Sequence, residues 1–552
     1  MVKNFQEFPL KHSVAIIGGG LAGIMISIEL SKYFQIYLIE KEPELGGNLI
    51  NVDKIFIEGN IIPNPLINLI DLLHNTDKID INLNSKINDI EGDPGNYSIK
   101  FTSRNEIKEI NVGAICICTG LSEKNIHYNN NVKKNVINHT KFVSLMKNGK
   151  LICKKNENLL IFLNGAFKEN ELNDSVSNIY SLVNAIEAKR KGFEVIYLYE
   201  NINTPFFSEN LYRMARDSGI QFIRGNYKLN IDSRNPENNI VKINSENLNS
   251  TFAPIYIILS NPLQDNDIDN TIGLLTEIKK SNNNYFKTLY NKLYQNETNQ
   301  KGIFLAGSCI HPMTFSQIVQ HSRAASLAIY KFLKNDKLEI EQTWAEIIQN
   351  NCIGCKNCMH VCPFNAIKAV KDEHNKQITI QINQIRCRGC GICSSICPTD
   401  AIQLKLYSDE EINTALNKIF DVFKNRTNIG PKIITYICMN CAAFSYDLIQ
   451  LIEKYKNPNM SCIKVTCAGK LSPENIIKPL LLGASGVLIL KCPEKSCHHS
   501  DGSTKAENLI FFTKELLNSI NVNHDRIELI DLLSINYNIL ENRIEQFIKK
   551  IR

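Results

Sequence analysis

The chain lacks any apolar run long enough to cross a membrane, although it is 552 residues long. The nearest candidate, from Leu480 to Leu490, is interrupted by glycine and serine, and a spanning helix needs about 20 consecutive apolar residues. The N-terminal residues also lack the apolar core and the cleavage site of a secretory signal. We therefore expect a cytoplasmic protein that meets a membrane only through a partner.

A strong charge of one sign is also missing, since 62 basic residues stand against 56 acidic ones and leave a net charge of +6. This weak balance gives no reason to expect nucleic acid as a partner. The composition, 43% hydrophobic and 21% charged, is that of an ordinary globular chain. At roughly 100–200 residues per domain, this length predicts several domains.

Cysteine is abundant, with 18 residues, and eight of them form two copies of one spacing. The first copy is Cys352, Cys355, Cys358 and Cys362 followed by Pro363, and the second is Cys387, Cys390, Cys393 and Cys397 followed by Pro398. In such runs three close thiolates bind one [4Fe-4S] cluster and the fourth reaches the other cluster. The predicted ligand sets are Cys352, Cys355, Cys358 and Cys397 for the first cluster, and Cys387, Cys390, Cys393 and Cys362 for the second.

This double run resembles a bacterial two-cluster ferredoxin. A pair of zinc sites is the alternative, but zinc frameworks rarely repeat this run with a trailing proline. Cysteines arranged as cluster ligands, without an export signal, indicate a reducing compartment. The chain is therefore expected to carry single electrons.

A nucleotide site is predicted near the N-terminus, where residues 13–40 read as strand, glycine turn, helix and a second strand that ends in an acid. Gly18, Gly20 and Gly23 fit the G-x-G-x-x-G fingerprint, in which the backbone approaches a pyrophosphate at a helix N-terminus. Glu40 follows about twenty residues later, where a carboxylate binds a ribose hydroxyl.

Further stretches favour FAD over NAD as the dinucleotide. Gly46 and Gly47 continue the fingerprint as in two-dinucleotide-domain flavoproteins, and the strand before Thr119 and Gly120 resembles the strand ending in ATG of that superfamily. The run from Gly302 to Cys309 resembles the strand that returns to the flavin, with a helix expected from about Ser316. Gly307 and Ser308 belong to this return, and Ser308 stands where many relatives carry an aspartate for the ribityl chain.

The middle segment, residues 150–265, has no second glycine fingerprint, so direct oxidation of NAD(P)H is not expected. It resembles heterodisulfide reductase A, a family that often carries cysteines for an additional cluster before and within its first helix. This sequence has Asn173, Ser177 and Asn178 at the corresponding positions, so we expect that cluster to be absent.

Four further cysteines in the first half are interpreted as structural. Cys116 and Cys118 alternate with isoleucine on a buried strand, which favours core packing. Cys153 is isolated and expected to be inert. Cys309 follows the flavin-return strand, but no second thiol stands near it in sequence to form a redox pair.

The C-terminal region alternates strands and helices, which predicts a small parallel-sheet domain. Strands are predicted in KIITYIC, CIKVTC, GVLILKC and RIELIDL, and helices near 445–456 and 473–482. Cys438, Cys467 and Cys492 end strands, and Cys441 and Cys497 follow closely. Ligands of open parallel sheets bind beyond the carboxyl ends of the strands, so these five cysteines should converge.

Four of these cysteines suffice for a [2Fe-2S] cluster, and a Cys₄ zinc site is the alternative. The region resembles the delta subunit of the methyl-viologen-reducing hydrogenase, an iron-sulfur protein that passes electrons to heterodisulfide reductase A. His498 and His499 are candidate ligands or neighbours of the ligands, although a solvated loop is the expected setting. Cys462 is expected to serve packing.

The predicted fold is a multidomain α/β chain with a Rossmann-type FAD domain, an inserted α/β segment, a two-[4Fe-4S] ferredoxin domain and a small C-terminal iron-sulfur domain. The predicted boundaries are 1–149 and 266–345 for the FAD domain, 150–265 for the insertion, 346–407 for the ferredoxin domain, 408–431 for a linker and 432–552 for the C-terminal domain.

This order resembles the B component of the quinone-interacting membrane-bound oxidoreductase and related fusions of heterodisulfide reductase A with the delta subunit. The resemblance implies an electron-transfer subunit that works with other heterodisulfide reductase-like, hydrogenase-like or quinone-oxidoreductase subunits. The alternatives are a stand-alone NAD(P)H-dependent reductase and a non-catalytic redox relay or sensor.

Overall fold

The computed structural model describes most of the chain, in stretches separated by short gaps. The described residues are 5–123, 136–153, 158–164, 174–204, 208–225, 241–245, 248–252, 254–260, 263–264, 267–289, 295–371, 378–425, 430–439, 460–494, 497–531 and 537–551. Within these stretches no helix combines the length and the apolar character needed to cross a membrane.

The first domain, here the nucleotide domain (5–123 and 267–341), is built on a five-stranded parallel sheet. In spatial order its strands are Ile303–Leu305, Ala114–Ile117, Ser13–Ile17, Gln35–Ile39 and Ile79–Asn82. They are almost uniformly apolar because both faces of the sheet are covered. Helices Leu21–Leu30, Leu66–His74 and Phe315–Leu333 pack on one face. An antiparallel sheet of Ser85–Asp93, Asn96–Ser103 and Glu106–Val112 covers the other face.

Three smaller elements complete the nucleotide domain. They are the strand pair Lys54–Ile57 and Asn60–Pro63, the helix Asp267–Thr276, and the strand pair Phe5–Pro9 and Lys337–Glu341. The last pair joins the beginning of the chain to the end of the domain. The two halves therefore form one Rossmann-type domain, as predicted.

The inserted unit has its own five-stranded parallel sheet. In spatial order its strands are Val136–Asn138, Tyr256–Leu259, Leu159–Asn164, Glu194–Tyr199 and Gln221–Arg224. Its helices are His139–Lys147, Asp174–Arg190 and Glu209–Asp217, and a further strand pair is Val241–Ser245 with Leu248–Phe252. The predicted boundary at residue 150 is therefore too late, because Val136 already pairs with Ile257 in this sheet. Strands Ser122–Glu123 and Leu263–Gln264 pair where the chain enters and leaves the unit.

The ferredoxin-type domain (345–404) is formed by two antiparallel strand pairs and two short helices. Ala345–Ile347 pairs with Ile402–Leu404, and Ile367–Lys371 pairs with Ile378–Ile382. The helices, Asn357–Val361 and Ile392–Ser395, carry the third cysteine of each copy. The sequence repeat is thus also a structural repeat.

The C-terminal domain (408–551) has the predicted parallel sheet. In spatial order the strands are Met460–Val465, Ile433–Cys438, Gly486–Lys491 and Ile527–Asp531. The helices are Asp409–Lys424, Pro473–Leu481, Gly502–Ser519 and Tyr537–Lys550. The helix predicted near 445–456 lies outside the described residues.

The segment predicted to be a linker, 408–431, is instead an integral part of the C-terminal domain. Helix Asp409–Lys424 buries Ile412, Leu416, Phe420 and Phe423 in the same core as the central strands. These residues share one helical face because they are three or four positions apart. Ser408 and Glu411 form a capping box at the N-terminus of the helix.

Polar contacts join the domains to one another. Arg386 of the ferredoxin-type domain binds Asp93 of the nucleotide domain, with 3.0 Å between Nε and the carboxylate. Lys279 of the nucleotide domain binds Asp501 of the C-terminal domain at 2.6 Å. All three domains that carry predicted redox sites are therefore in direct contact.

Candidate redox cofactor sites

The glycine turn at residues 18–23 leaves one position open to a ligand. A Cβ at Gly23 would lie 1.9 Å from the carbonyl oxygen of Gly18, so helix and strand packing require this glycine. Gly18 has a φ of +110°, which only glycine adopts readily. At Gly20, by contrast, a Cβ would meet none of the described atoms within 4 Å. Packing does not explain Gly20, whereas close approach of a pyrophosphate does.

Glu40 ends the second strand next to this turn and is 6% exposed. Its carboxylate accepts hydrogen bonds from the backbone N–H groups of Gly19 and Glu42. The Gly46 N–H donates to the Gly19 carbonyl over 2.8 Å, and both Gly46 and Gly47 have positive φ. These contacts hold the fingerprint and its continuation together.

The remaining predicted flavin residues lie around the same turn. A pocket between strand ends is lined by Gly18, Glu40 and Thr119. Gly120 has a φ of +69° and, like Gly20, would direct a Cβ at no described atom within 4 Å. Two positions in this set therefore present bare backbone to open space, which fits a long dinucleotide.

The return strand closes the site from the other half of the domain. The Ala306 N–H donates to the Ile117 carbonyl over 3.0 Å, and a Cβ at Gly307 would lie 2.8 Å from the Ala22 Cβ. Ser308 follows in a short 3₁₀ turn and is half-buried. The return strand thus lies against the helix of the glycine turn.

His321 is a residue of this site that the sequence did not single out. Its Nδ1 accepts a hydrogen bond from the Gly307 N–H over 3.3 Å. Burial, followed by the charge of His311, lowers its pKa to about 4, so the imidazole is neutral and free to accept. Nothing in the sequence marks it, because a histidine inside a helix has no motif around it.

The predicted second cluster corresponds to a pocket in the ferredoxin-type domain. Cys362, Cys387, Cys390 and Cys393 all line this pocket. Cys362 comes from the first copy and interacts electrostatically with the three cysteines of the second copy. The backbone N–H of Ala345 lies 3.5 Å from the Cys387 sulfur, and hydrogen bonds to sulfur are typical of cluster sites. These residues fit a cluster with the predicted ligands.

The predicted first cluster lies nearer the surface. Cys358 interacts with Cys352 and Cys355, and Cys397 belongs to the same small cluster of buried and half-buried side chains as Cys352 and Cys358. Cys355 is exposed, whereas Cys390 and Cys393 of the second set are buried. The two sites therefore differ in their access to solvent.

Four of the five C-terminal cysteines converge beyond the strand ends. The Cys438 and Cys492 sulfurs are 3.8 Å apart, and Cys497 packs against both side chains. Hydrogen bonds from Cys467 and Cys492 hold the pKa of the Cys497 thiol far below its ordinary value. The fifth, Cys441, lies outside the described residues.

Gly502, the first residue of helix Gly502–Ser519, allows this convergence. A Cβ there would lie 2.3 Å from the Cys467 sulfur and 3.3 Å from the Cys497 sulfur. The helix N-terminus thus reaches the thiols, where its partial positive charge favours thiolates. Across the described residues, no three His, Cys, Asp or Glu side chains are arranged to hold a single metal ion.

The two histidines after Cys497 are not in a solvated loop, as was expected. His499 is 5% exposed, and its ring lies 6.1 Å from the ring of Phe364 in the ferredoxin-type domain. Burial lowers its pKa to about 4. The expectation failed because this loop is covered by a neighbouring domain, which local sequence does not reveal.

The other cysteines occupy structural positions. The Cys116 and Cys118 sulfurs are buried and 3.6 Å apart, and Cys309 is buried beside them and hydrogen-bonds the Ile117 carbonyl. Burial raises the pKa of Cys118 and Cys309 well above the ordinary value, so these thiols stay protonated. Cys153 is half-buried and Cys462 lies inside strand Met460–Val465.

The second ferredoxin site and the C-terminal site are in contact. Cys390 and Cys467 share a small apolar cluster with Phe364. The Thr466 hydroxyl donates to the Cys390 carbonyl over 3.2 Å, and the Ser395 hydroxyl donates to the Gly469 carbonyl over 3.1 Å. One ligand of each predicted cluster therefore lies at the same domain interface.

Comparison with known families assigns three parts of the chain. Residues 433–552 match the methyl-viologen-reducing hydrogenase delta subunit, residues 345–404 match a 4Fe-4S dicluster domain, and residues 16–65 match an NAD(P)-binding Rossmann-like domain. The A component of the ferredoxin:CoB-CoM heterodisulfide reductase of Methanosarcina mazei is 26% identical over 62% of this chain and 42% of its own length. The chain therefore resembles heterodisulfide reductase A joined to a hydrogenase delta-subunit domain.

A second relative covers more of its own length. The iron-sulfur A component of the CoB-CoM heterodisulfide reductase of Methanocaldococcus jannaschii is 24% identical over 76% of this chain and 80% of its own length. Among solved structures, the thioredoxin reductase of T. acidophilum is 13% identical with a TM-score of 0.43, over 58% of this chain and 99% of its own. This heterodisulfide reductase A-like chain spans less than half the length of its Methanosarcina mazei relative.

Asn173, Ser177 and Asn178 are aligned with cysteines that bind an additional cluster in heterodisulfide reductase A. Asn173 lies outside the described residues, whereas Ser177 and Asn178 lie on helix Asp174–Arg190 of the inserted unit. Neither side chain offers the thiolate that an iron-sulfur cluster needs. The predicted absence of an additional cluster here stays a prediction.

Proposed function

We propose that this chain is an electron-transfer subunit of a heterodisulfide reductase-like or quinone-interacting oxidoreductase complex. It would hold FAD, two [4Fe-4S] clusters and a C-terminal [2Fe-2S] cluster. A flavin can exchange two electrons with one partner and pass them one at a time to iron-sulfur clusters, which is why both kinds of group would serve in one chain.

The observation that carries the proposal is the shared interface of Cys390 and Cys467. Packing of the two domains does not require ligands of both iron-sulfur sites at their interface, because any apolar surface of either domain could be buried there. Electron transfer supplies a reason, since its rate depends on short separation. The Thr466 and Ser395 hydrogen bonds across this interface keep the separation fixed.

The nucleotide domain would hold the FAD, and it contacts the ferredoxin-type domain as the C-terminal domain does. The bare backbone at Gly20 and Gly120 would admit the dinucleotide, and Glu40 would bind the adenosine ribose. The Asn299 side chain of this domain donates to the Pro363 carbonyl over 3.3 Å, directly after the ligand Cys362. The second cluster would therefore stand between the flavin and the C-terminal site.

Partner subunits would reach the chain at the first cluster. Cys355 is exposed there and its neighbour Ile353 is 66% exposed, so another protein can approach a ligand directly. The partners in this proposal are heterodisulfide reductase-like, hydrogenase-like or quinone-oxidoreductase subunits.

The test is the metal and flavin content of anaerobically purified protein, with EPR of the dithionite-reduced sample. We expect about ten irons and about one FAD per chain, with a [2Fe-2S] signal beside two [4Fe-4S] signals. About eight irons with one zinc would make the C-terminal site structural and remove the relay through Cys467. Unaided oxidation of NADH would favour the stand-alone reductase instead.

A further inference from the structure

The two cluster sites differ in the residue that follows their first ligand. The residue after the first ligand is Ile353 in the first copy and Arg388 in the second. Ile353 is 66% exposed, whereas Arg388 lines the pocket formed by Cys362, Cys387, Cys390 and Cys393. One site therefore has a permanent positive charge in its wall where the other has an exposed aliphatic side chain.

The guanidinium of Arg388 is held in place at the junction of three domains. Its central carbon lies 5.9 Å from the centre of the Phe364 ring, and its Nε and one terminal nitrogen are shielded from solvent. Its charge acts on Lys301 of the nucleotide domain, whose pKa is lowered to about 8 by burial and then by Arg388. Solvent therefore screens this charge weakly.

A fixed positive charge favours the reduced form of a cluster. Each one-electron reduction adds a negative charge, and the attraction between opposite charges is several times stronger in a protein interior than in water. Arginine keeps its charge at every accessible pH. Net charge, hydrogen bonding and solvent exposure set the reduction potentials of clusters. The described walls of the two sites differ in charge and in solvent exposure.

We propose that Arg388 raises the reduction potential of the cluster held by Cys362, Cys387, Cys390 and Cys393 above that of the cluster held by Cys352, Cys355, Cys358 and Cys397. One electron then leaves the exposed cluster, which is oxidised, and enters the buried cluster, which is reduced, with no bond or proton transferred. This inference rests on the proposed function, and it makes the buried cluster the point where electrons collect between the flavin and the C-terminal site.

The first test compares the two clusters within the wild-type protein and uses one variant to assign the signals. In an EPR-monitored redox titration of the anaerobic wild-type protein, the two [4Fe-4S] signals should reduce at potentials at least about 59 mV apart, a tenfold difference for one-electron couples. C355A removes a ligand of the exposed cluster. It should therefore alter the EPR signal that has the lower reduction potential. Reduction of both signals at one potential, or an altered signal of higher potential, would overturn the proposal.

The second test isolates the charge. R388Q should lower the reduction potential of the buried cluster by at least about 59 mV, which is a tenfold change in its reduction equilibrium. R388K keeps the positive charge and should therefore keep most of the difference between the two potentials. I353Q is the matched change at the equivalent position of the first cysteine run, and it should leave both reduction potentials unchanged. Equal shifts in R388Q and R388K would mean that packing, not charge, is responsible, and unchanged potentials in R388Q would also contradict the inference.

The two proposals fail in different ways. If wild-type protein holds fewer than about eight irons or lacks two [4Fe-4S] signals, the proposed function fails. If both clusters are present and Arg388 does not separate their potentials, only the present inference fails.

Discussion

Gly20 and Gly23 stand three residues apart in the glycine turn, but only Gly23 is constrained by packing. G20A adds a methyl group that meets no described atom within 4 Å and requires no unusual φ, since Gly20 has a φ of −75°. We expect G20A to leave the stability of flavin-free protein unchanged and to weaken FAD binding at least tenfold, about 1.4 kcal/mol. Flavin content and thermal unfolding of the apoprotein measure the two effects.

G23A is the matched control for this prediction. Its Cβ would meet the Gly18 carbonyl at 1.9 Å, so overpacking should destabilise the apoprotein by about 1–3 kcal/mol. If G20A also destabilises the apoprotein, or if it retains full flavin affinity, the assignment of the open space to a pyrophosphate is wrong.

Gly502 begins the helix that meets the C-terminal thiols, and it lets the helix approach Cys467. G502A should displace the Cys467 sulfur and remove the metal of the C-terminal site while the iron of the ferredoxin-type domain stays. Metal analysis with EPR distinguishes the sites. K505A, an exposed change on the same helix, serves as the control, and full metal content in G502A would contradict the role given to the glycine.

Helix Asp409–Lys424 lies in a segment predicted to be a linker, although its sequence carries two signals of a packed helix. Ser408 and Glu411 form a recognisable capping box, and Ile412, Leu416 and Phe420 repeat every four residues. Those signals identify an amphipathic helix, which buries a face against something. The charged residues between them favour a linker, but the apolar periodicity decides the structure because it lets one face of the helix pack in the core.

Leu416 tests the structural role of this helix. L416A should cost the C-terminal domain about 2–5 kcal/mol, because Leu416 is fully buried in the core. Hydrogen exchange of the strand Ile433–Cys438 should accelerate at least tenfold as a result. V422A, where the side chain is 49% exposed, should change exchange little, and an equal effect of both variants would place the helix outside the domain.

The sequence predicted short-range features well because their chemistry depends on spacing. The cysteine runs, the glycine turn, and the strands that end at Cys438 and directly before Cys492 are all encoded within a few residues. The contact between Cys390 and Cys467 is not, since it joins surfaces of different domains and no periodicity relates them. The burial of His499 and the position of Arg388 were missed for the same reason.

At the scale of the whole molecule, the three cysteine sites form a gradient of exposure. Cys355 is exposed, Cys390 is 7% exposed at a domain interface, and Cys467 is 2% exposed. A reagent that attacks clusters from solvent reaches them through their ligands and sulfides. The solvent exposure of the ligands should therefore determine the order in which the clusters are lost, independently of their reduction potentials.

We expect the first [4Fe-4S] signal to disappear before the second when reduced protein is treated with an iron chelator under anaerobic conditions, with the C-terminal signal lasting longest. EPR spectra taken during the treatment follow each signal, and R388Q provides a control because it changes a potential and leaves the exposure of Cys355 as it is. If all signals decay together, the protein opens as a whole before iron is lost. If the C-terminal signal decays first, the interface around Cys390 and Cys467 does not shield that site in solution, and the case for a relay across it loses its support.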